Sequence, residues 1–430
     1  MAVYNITFFT SEEGKDVAFT LKSKKLTTND FSSFEFIRVL KLFIGGKDRI
    51  VEDKTYILQI AANWKDLLIT HLTRWSETFR ELNNVIALIS QLDEGRCLGI
   101  SFNDNLDIQK SKELYFLMQE VEQGIPAKPR YEEFLRQYSD FFNVYRPLSY
   151  SHEKRIRFGN AERKSRVCRY CGRSVPETTF NHNSHTISNC LGNINYFTND
   201  ECDKCNTKFG ATIEQELLKY VSISRVLSGR YEGFKQYKTQ IGSFELGINP
   251  KTNQIEFKET TDKSPINANI INSDQQIDIF VDGGYIDFVD VYRALVKFVI
   301  GMLPEKELKY FMETIKWVNK EVELQLPNIK ETIYKDPEQH PFINMFFREN
   351  NSDFPYLCAE MHVNHYEFVF AVPGCSLDKS LKENIMDDFL KLRKDGNKWR
   401  NISFEKSQPT RMELHVSLYK SPLQSDNTSL

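Results

Sequence analysis

Apolar and polar positions alternate with two different periods along the chain, and these periods divide it into helical and extended stretches. Near the start, residues 4–9 have the composition of a short strand. Apolar residues then recur at helical spacing over residues 64–92 and again over residues 131–142. The first 150 residues therefore predict a mixed domain with more helix than strand, closed by an amphipathic helix.

A single apolar stripe follows in the middle of the chain. Phe209, Ile213, Leu217 and Val221 lie four positions apart, which places them on one face of a helix. This spacing predicts one helix that runs from about Asn206 past Tyr220.

Strand patterns dominate from residue 243 onward. Apolar residues alternate over 244–248 and 255–257, with an Asn- and Pro-containing turn between them, which predicts a hairpin. A second hairpin is predicted about Asp282-Gly283-Gly284, since this tripeptide separates two further alternating runs. Helical patterns cover 291–302, ending before Pro304, and 305–322; strands are expected at 366–372 and 412–418. Residues 421–430 have the composition of a loose tail.

Length and composition favour a globular protein. The 430 residues, with 40% hydrophobic and 13% aromatic content, provide enough apolar material for two or three domains. The apolar runs are far shorter than the ~20 residues of a membrane span, and the first residues lack a secretory pattern. We therefore expect a cytoplasmic protein. The formal net charge of −3 says little about partners, because charge is unevenly distributed along the chain.

Four of the eight cysteines form two closely spaced pairs, Cys168 with Cys171 and Cys202 with Cys205. A two-residue gap lets both thiolates of a pair reach one tetrahedral ion. One such pair alone would be equally typical of ordinary buried cysteines, but each pair supports the other. In a chain without a secretory signal, the spacing predicts a structural zinc site rather than disulfides.

The residues between and after the pairs resemble a known family. The order Ser184-His185, Leu191-Gly192-Asn193, Asn199, and then Asn206 directly after the second pair resembles HNH endonucleases of the zinc-containing ββα-metal type. The resemblance covers about fifty residues and is that of an H-N-N variant. It implies a ββα-metal module in which His185 is the general base, Asn199 orients the base, and Asn206 is a metal ligand.

The chemistry of phosphodiester hydrolysis agrees with these residue types. A histidine can take a proton from water at cellular pH. A divalent cation, Mg²⁺ or Mn²⁺, would stabilise the charge that develops on the phosphate, and an asparagine carbonyl can bind it. Asn199 would hold the histidine ring in place.

The chain departs from the family pattern at residue 184. Many members have an acidic residue directly before the base, where the carboxylate binds the catalytic metal, but this chain has Ser184. Three explanations stay open. Glu201, Glu214 or His182 supplies the missing ligand, the ion is held mainly by Asn206, water and substrate, or activity has been lost. For His182 an ordinary structural role is favoured, and Glu214 is also typical of a solvated helix position.

Basic residues are concentrated just before and within the first cysteine pair. A basic run is most often a solvated face, but beside a phosphodiesterase centre it can also neutralise phosphates. We expect contact with nucleic acid from Arg163, Lys164, Arg166, Arg169 and Arg173.

The sequence thus predicts an α+β multidomain protein with a central zinc-bound ββα-metal module. Its expected parts are a helix-rich domain at 1–150, the basic segment and nuclease module at 151–240, an α+β targeting or regulatory domain at 241–420, and a tail at 421–430. The expected function is metal-dependent cleavage of DNA, or less readily RNA, as in restriction or phage defence. The competing function is a non-catalytic zinc-dependent nucleic-acid-binding or assembly module. A homodimer, an activating partner or a small-molecule activator is compatible with either function.

Overall fold

The structure is a computed structural model that describes residues 2–11, 16–23, 49–52, 55–77, 82–101, 108–150, 155–229, 234–238, 243–249, 255–259, 276–402 and 410–419. The chain divides into two compact units. The first comprises Met1–Arg155 with Leu392–Lys394, and the second comprises Ile156–Lys391 with Asp395–Leu430.

The first unit contains an antiparallel sheet, four helices and a further strand among its described residues. The strands are β1 (Ala2–Thr10), β2 (Asp16–Ser23), β3 (Arg49–Glu52), β4 (Thr55–Gln59), β5 (Cys97–Ser101) and β6 (Tyr145–Ser149). The helices are α1 (Ala62–Ser76), α2 (Leu82–Ser90), α3 (Ile108–Gln123) and α4 (Ala127–Val144). The sheet has the order β2-β1-β5-β4-β3.

Amphipathic patterning explains how this sheet and its helices pack. Ile6 and Phe8 alternate along β1, Leu68 and Leu72 lie one turn apart on α1, and all four are buried in the same hydrophobic cluster. The predicted early strand, the helical pattern over 64–92 and the helix over 131–142 are therefore confirmed.

The second unit begins with a small sheet and three short helices. These are β7 (Ile156–Phe158), β8 (Ser184–His185), β9 (Tyr196–Thr198), α5 (Asp203–Ala211), α6 (Ile213–Tyr220) and α7 (Ser222–Leu227). Strand β9 lies between the other two, parallel to β7 and antiparallel to β8. The remaining elements are β10 (Phe234–Lys238), β11 (Ser243–Ile248), β12 (Ile255–Glu259), β13 (Gln276–Ile286), α8 (Phe288–Met302), α9 (Glu305–Leu308), α10 (Met312–Val318), β14 (Ile329–Arg348), β15 (Leu357–Ala371), α11 (Ile385–Arg393), β16 (Arg400–Ile402) and β17 (Thr410–Tyr419).

Helix α8 forms the core of the second unit. The carboxylate of Asp287 caps its N-terminus by accepting hydrogen bonds from the amides of Val289 and Asp290. Every residue from Asp290 to Met302 is buried. A helix buried on all sides must be covered by several other elements. Two further sheets are present, one with the order β12-β11-β10-β13-β17 and one in which β14 lies between β15 and β16.

The structure corrects two of the sequence predictions. The single helix predicted from about Asn206 past Tyr220 is in fact three helices, α5, α6 and α7. The backbone departs from helical geometry between them, at Thr212 and at Val221. The hydroxyl of Thr212 donates to the carbonyl of Lys208, four residues earlier. Phe209, Ile213, Leu217 and Val221 nevertheless all remain fully buried, so the apolar stripe continues across the breaks.

The second predicted hairpin is also wrong. Asp282, Gly283 and Gly284 lie inside β13, which pairs with β17 along its length. The register shifts between Asp282 and Gly284, so Gly283 is the extra residue of a β-bulge. Glycine is favoured in both settings, and only the pairing partner more than 120 residues later distinguishes them.

Most other element predictions are confirmed. The hairpin of β11 and β12, the helix that ends before Pro304, and the two late strands are present. The pattern over 305–322 forms α9 and α10 rather than one helix. The α+β class is confirmed, while the predicted domain boundaries stay a prediction and residues 421–430 lie outside the described residues. Within the described part of the chain, no helix combines the length and hydropathy that crossing a membrane would require.

Candidate functional site

The two cysteine pairs meet at one point, as their spacing predicts. The sulfur atoms of Cys168, Cys171, Cys202 and Cys205 all lie within 4.8 Å of one another. The Sγ atoms of Cys171 and Cys202 are 3.8 Å apart. Four sulfur atoms about 2.3 Å from a central zinc ion would be separated by about 3.8 Å, so this cluster could hold zinc.

Each cysteine pair is held by its own backbone turn. The amide of Cys168 donates to the carbonyl of Arg173, and Gly172 closes the turn with a φ of 69°, which a residue with a side chain rarely adopts. The second pair opens α5, so that Cys205 lies one turn beyond Cys202. Hydrogen bonds from the Cys205 thiol and from backbone amides lower the pKa of Cys168 to about 5, although burial opposes this shift. Cys168 is thus favoured as a thiolate, the form that binds zinc, whereas burial raises the pKa of Cys171 to about 11 and the hydrogen bond to Cys168 raises the pKa of Cys205.

His185 ends strand β8, directly beside the middle strand of the small sheet. It pairs with Phe197 of β9, and its half-buried ring lies 4.5 Å from the Phe197 ring, centroid to centroid. The exposed Arg157 of β7 places its guanidinium 4.9 Å from the same Phe197 ring. Arg157 also donates to the side-chain oxygen of Asn183. Phe197 therefore lies between a histidine and an exposed cation on one face of the sheet.

Two further predicted residues are buried here, Ser184 in strand β8 and Asn199 directly after strand β9. The side-chain oxygen of Asn199 accepts a hydrogen bond from Arg166 over 3.1 Å, and its amide donates to the carbonyl of Phe158. The hydroxyl of Ser184 donates to the carbonyl of Glu201 over 3.3 Å. Ser184 therefore connects strand β8 to the segment that leads into the second cysteine pair.

Asn206 and His182 each have a backbone hydrogen bond to the residues that open α5. Asn206 is half-buried and its amide donates to the carbonyl of Cys202. His182 is exposed, and its amide donates to the carboxylate of Asp203. Burial raises the pKa of Asp203, but hydrogen bonds from Thr179 and from backbone amides outweigh it and lower the pKa overall. This carboxylate holds the chain before β8 against α5.

The two glutamates that the sequence offered as metal ligands are bound to a lysine. The Lys297 ammonium of α8 lies 3.1 Å from a carboxylate oxygen of Glu201 and 3.0 Å from one of Glu214. Burial lowers the pKa of Lys297, but the two carboxylates raise it more. Burial raises the pKa of Glu201 to about 7. The Lys297 ammonium opposes this shift, and the neighbouring carboxylate of Glu214 adds to it. Lys297 was not predicted as part of this group, although a lysine within an otherwise apolar helical run is a sign of a buried ion pair.

The predicted basic residues divide into exposed and buried ones. Arg163, Lys164 and Arg173 are exposed, and Arg163 donates to the side chain of Asn181. Arg166 binds the carbonyls of Asn160 and Ala161 as well as Asn199.

Arg169 differs from its neighbours because its side chain is buried. It donates to the carbonyls of Ile300, Gly301 and Leu303 at the end of α8 and pairs with Asp200. The sequence placed Arg169 with the phosphate-binding residues, but the structure uses it to satisfy the last carbonyls of a buried helix.

Comparison with known proteins identifies the module around these residues. A family model described as HNH endonuclease matches residues 168–222, a span that includes both cysteine pairs, His185 and Asn206. Curated proteins and solved structures gave no match. The family predicted from the sequence is therefore confirmed for this segment. Residues 168–222 of the chain form a module of the HNH endonuclease family.

Proposed function

We propose that this protein is an endonuclease that hydrolyses phosphodiester bonds of DNA, with His185 as the general base. The observation that carries the proposal is the HNH match at residues 168–222, within which His185 occupies the end of a strand beside the cysteine cluster. An imidazole can accept the proton of an attacking water at cellular pH. Contact with Phe197 limits the orientations of the His185 ring, so the accepting nitrogen is held in a defined direction.

Arg157 and the exposed basic residues would bind the substrate. The Arg157 guanidinium lies against the same aromatic ring as His185, and a guanidinium binds phosphate oxygens in a bidentate manner. Arg163 and Lys164, just before the HNH segment, and Arg173, within it, are also exposed and would neutralise flanking phosphates.

A catalytic divalent ion, Mg²⁺ or Mn²⁺, has fewer acidic candidates than the sequence indicated. Glu201 and Glu214 contact Lys297, and the Ser184 hydroxyl is bonded to a backbone carbonyl. Asn206 is the residue that we propose as protein ligand, through its side-chain oxygen. When bound, such an ion would stabilise negative charge on the phosphate. In this proposal Asn199 acts indirectly, by fixing Arg166 next to the sheet that carries His185.

Plasmid cleavage tests the proposal. Purified protein with Mg²⁺ or Mn²⁺ is expected to nick supercoiled DNA, and His185→Ala should reduce the rate by about 10²- to 10⁴-fold, the usual contribution of a general base. His182→Ala is the matched control, because this exposed histidine lies three residues earlier and should keep wild-type activity. Wild-type cleavage by His185→Ala, with folding intact, would exclude His185 as the base.

A second function is favoured by one observation. Ser184 stands where many family members carry an acidic metal ligand, and its hydroxyl is already bonded to Glu201. A non-catalytic zinc-dependent nucleic-acid-binding or assembly module would account for this. It predicts salt-sensitive DNA binding without cleavage under any divalent ion, and matched DNA and RNA substrates would define the preferred nucleic acid.

We further propose a cytoplasmic role in restriction or phage defence, in which the regions outside residues 168–222 select the target or respond to a trigger. None of the eight cysteines forms a disulfide, which agrees with a reducing compartment. The measurement is phage plating efficiency in cells that express the wild type or His185→Ala. Equal plating on both strains would argue against a defence role.

A further inference from the structure

A second group of ligand-type side chains lies on strand β15, outside the HNH module. The ligand atoms of Glu360, His362 and Glu367 all lie within 4.8 Å of one another. The Nε2 atom of His362 is 2.7 Å from a carboxylate oxygen of Glu360 and 3.8 Å from one of Glu367. Among the described residues, this group and the four-cysteine cluster are the two arrangements of this kind.

An irregularity in β15 brings the third side chain to the group. Strand alternation places Glu360 and His362 on one face and would place Glu367 on the other. Asn364 adopts a left-handed conformation with a φ of 52°, and the register with β14 shifts on both sides of its partner Glu338. The shift returns Glu367 to the face of His362. His365, on the same strand, lies outside the group and contacts Ser224 instead.

Neighbouring side chains hold the three groups in place. The His362 ring stacks on Phe342, its partner across β14, at 4.4 Å and 14° between the planes. Asn344 donates to a Glu360 oxygen over 3.0 Å, and the Tyr334 hydroxyl donates to Glu367. Such bonds from second residues orient carboxylates and imidazoles in metal sites.

The two carboxylates are deeply buried, with 6% of Glu360 and 1% of Glu367 exposed. Both carboxylates face the imidazole of His362, so the group presents two acidic side chains and one ring nitrogen to a cation. His362 is half-buried and the neighbouring Tyr334 is exposed, which leaves a route from solvent to the group.

We propose that Glu360, His362 and Glu367 form a binding site for a divalent transition-metal ion such as Mn²⁺ or Zn²⁺. Two ligands about 2.1 Å from one ion are separated by about 3.0 to 3.4 Å, and the observed 2.7 and 3.8 Å lie on either side of this range. Two carboxylates neutralise a divalent ion, and the imidazole favours transition metals over Mg²⁺ or Ca²⁺. Bound there, the ion would hold the irregular part of β15 in one conformation.

Metal titration of the full chain tests this site without reference to cleavage. The protein used is a zinc-loaded double variant with His185→Ala and Asn206→Ala, two substitutions that remove the proposed ion site of the HNH module. It is titrated with Mn²⁺, and binding of Mn²⁺ is followed by electron paramagnetic resonance. One bound Mn²⁺ per chain is expected. Adding His362→Gln should weaken binding at least about tenfold, as expected on loss of one ligand, and adding His365→Gln is the matched control that should leave it unchanged.

Two results would overturn the proposal. The first is no Mn²⁺ or additional Zn²⁺ bound by the double variant, which would mean that these three side chains bind no ion of this class. The second is Mn²⁺ binding that is equally strong with and without His362→Gln. Circular dichroism of each variant confirms folding, and Glu360→Gln replaces His362→Gln if the latter is unfolded.

Discussion

Arg157 is the exposed residue whose replacement should most directly affect substrate binding. Its guanidinium lies against the ring that contacts His185. Arg157→Ala is expected to reduce DNA affinity by about 1 to 3 kcal/mol and to lower the salt dependence of binding by about one phosphate contact. Fluorescence anisotropy at several salt concentrations measures both effects. Arg136→Ala, an exposed arginine of α4 paired with Glu133, serves as the control and should change neither.

Arg169 should behave in the opposite way, as a stabilising residue. Arg169→Ala leaves three helix-end carbonyls and Asp200 without their buried donor. We expect a loss of about 2 to 4 kcal/mol in the free energy of unfolding, read from urea denaturation. Arg173→Ala, four residues later and exposed, should cost less than about 0.5 kcal/mol. Comparable costs for the two variants would contradict this assignment.

Arg157 and Arg169 also show which site residues could be predicted from the sequence and which could not. Cysteine spacing located the four-cysteine cluster, and the family pattern pointed to His185, because both signals are local. The basic run did not distinguish Arg169 from Arg163 or Arg173, because its burial depends on α8, more than 120 residues later. The sequence did not distinguish Arg157 from other basic residues, because its contact with Phe197 depends on parallel pairing between β7 and β9.

At the scale of elements, the ion-paired group of Lys297, Glu201 and Glu214 connects α8 to the segments on both sides of α5. Lys297→Met would leave two buried carboxylates without their ammonium. A loss of about 3 to 5 kcal/mol in the free energy of unfolding is expected. Adding Glu201→Gln and Glu214→Gln to Lys297→Met should restore part of this loss, because the repelling charges are then removed.

Urea denaturation of these variants provides the measurement, with Lys316→Met as the control. Lys316 is paired with Glu313 at an exposed position of α10, so Lys316→Met should destabilise the protein far less than Lys297→Met. If the triple variant were no more stable than Lys297→Met, repulsion between the two carboxylates would not explain the cost.

Elements were predictable where their apolar pattern was local and uninterrupted. The helix that became α8 satisfied this condition, and so did the strand that became β17. The tripeptide Asp282-Gly283-Gly284 did not, since glycine allows both a turn and a bulge and the choice was made by pairing with β17. The breaks at Thr212 and Val221 preserve the apolar stripe, so the stripe could not reveal them.

At the scale of the whole molecule, zinc removal should separate the behaviour of the two units. All four cysteines of the cluster belong to the unit that begins at Ile156. Stripping zinc with a strong chelator is therefore expected to lower the unfolding temperature of that unit.

Calorimetry with and without chelator, beside Cys202→Ser, measures this difference. Cys190→Ser is the matched control, because Cys190 is exposed and lies outside the cluster. A zinc-free protein whose two transitions both stay in place would show that the cluster does not depend on metal for its stability.

The way α8 is covered has a further consequence for the modularity of the HNH segment. A Cβ atom on Gly301 would lie 2.6 Å from Thr186, the residue after His185, and Tyr170 donates to the carbonyl of Lys297. The segment of residues 168–222 and α8 thus share one interior. Excised and grafted into another protein, the segment would expose the surface that packs against α8, so a stable graft would have to include this helix, which lies outside the family match.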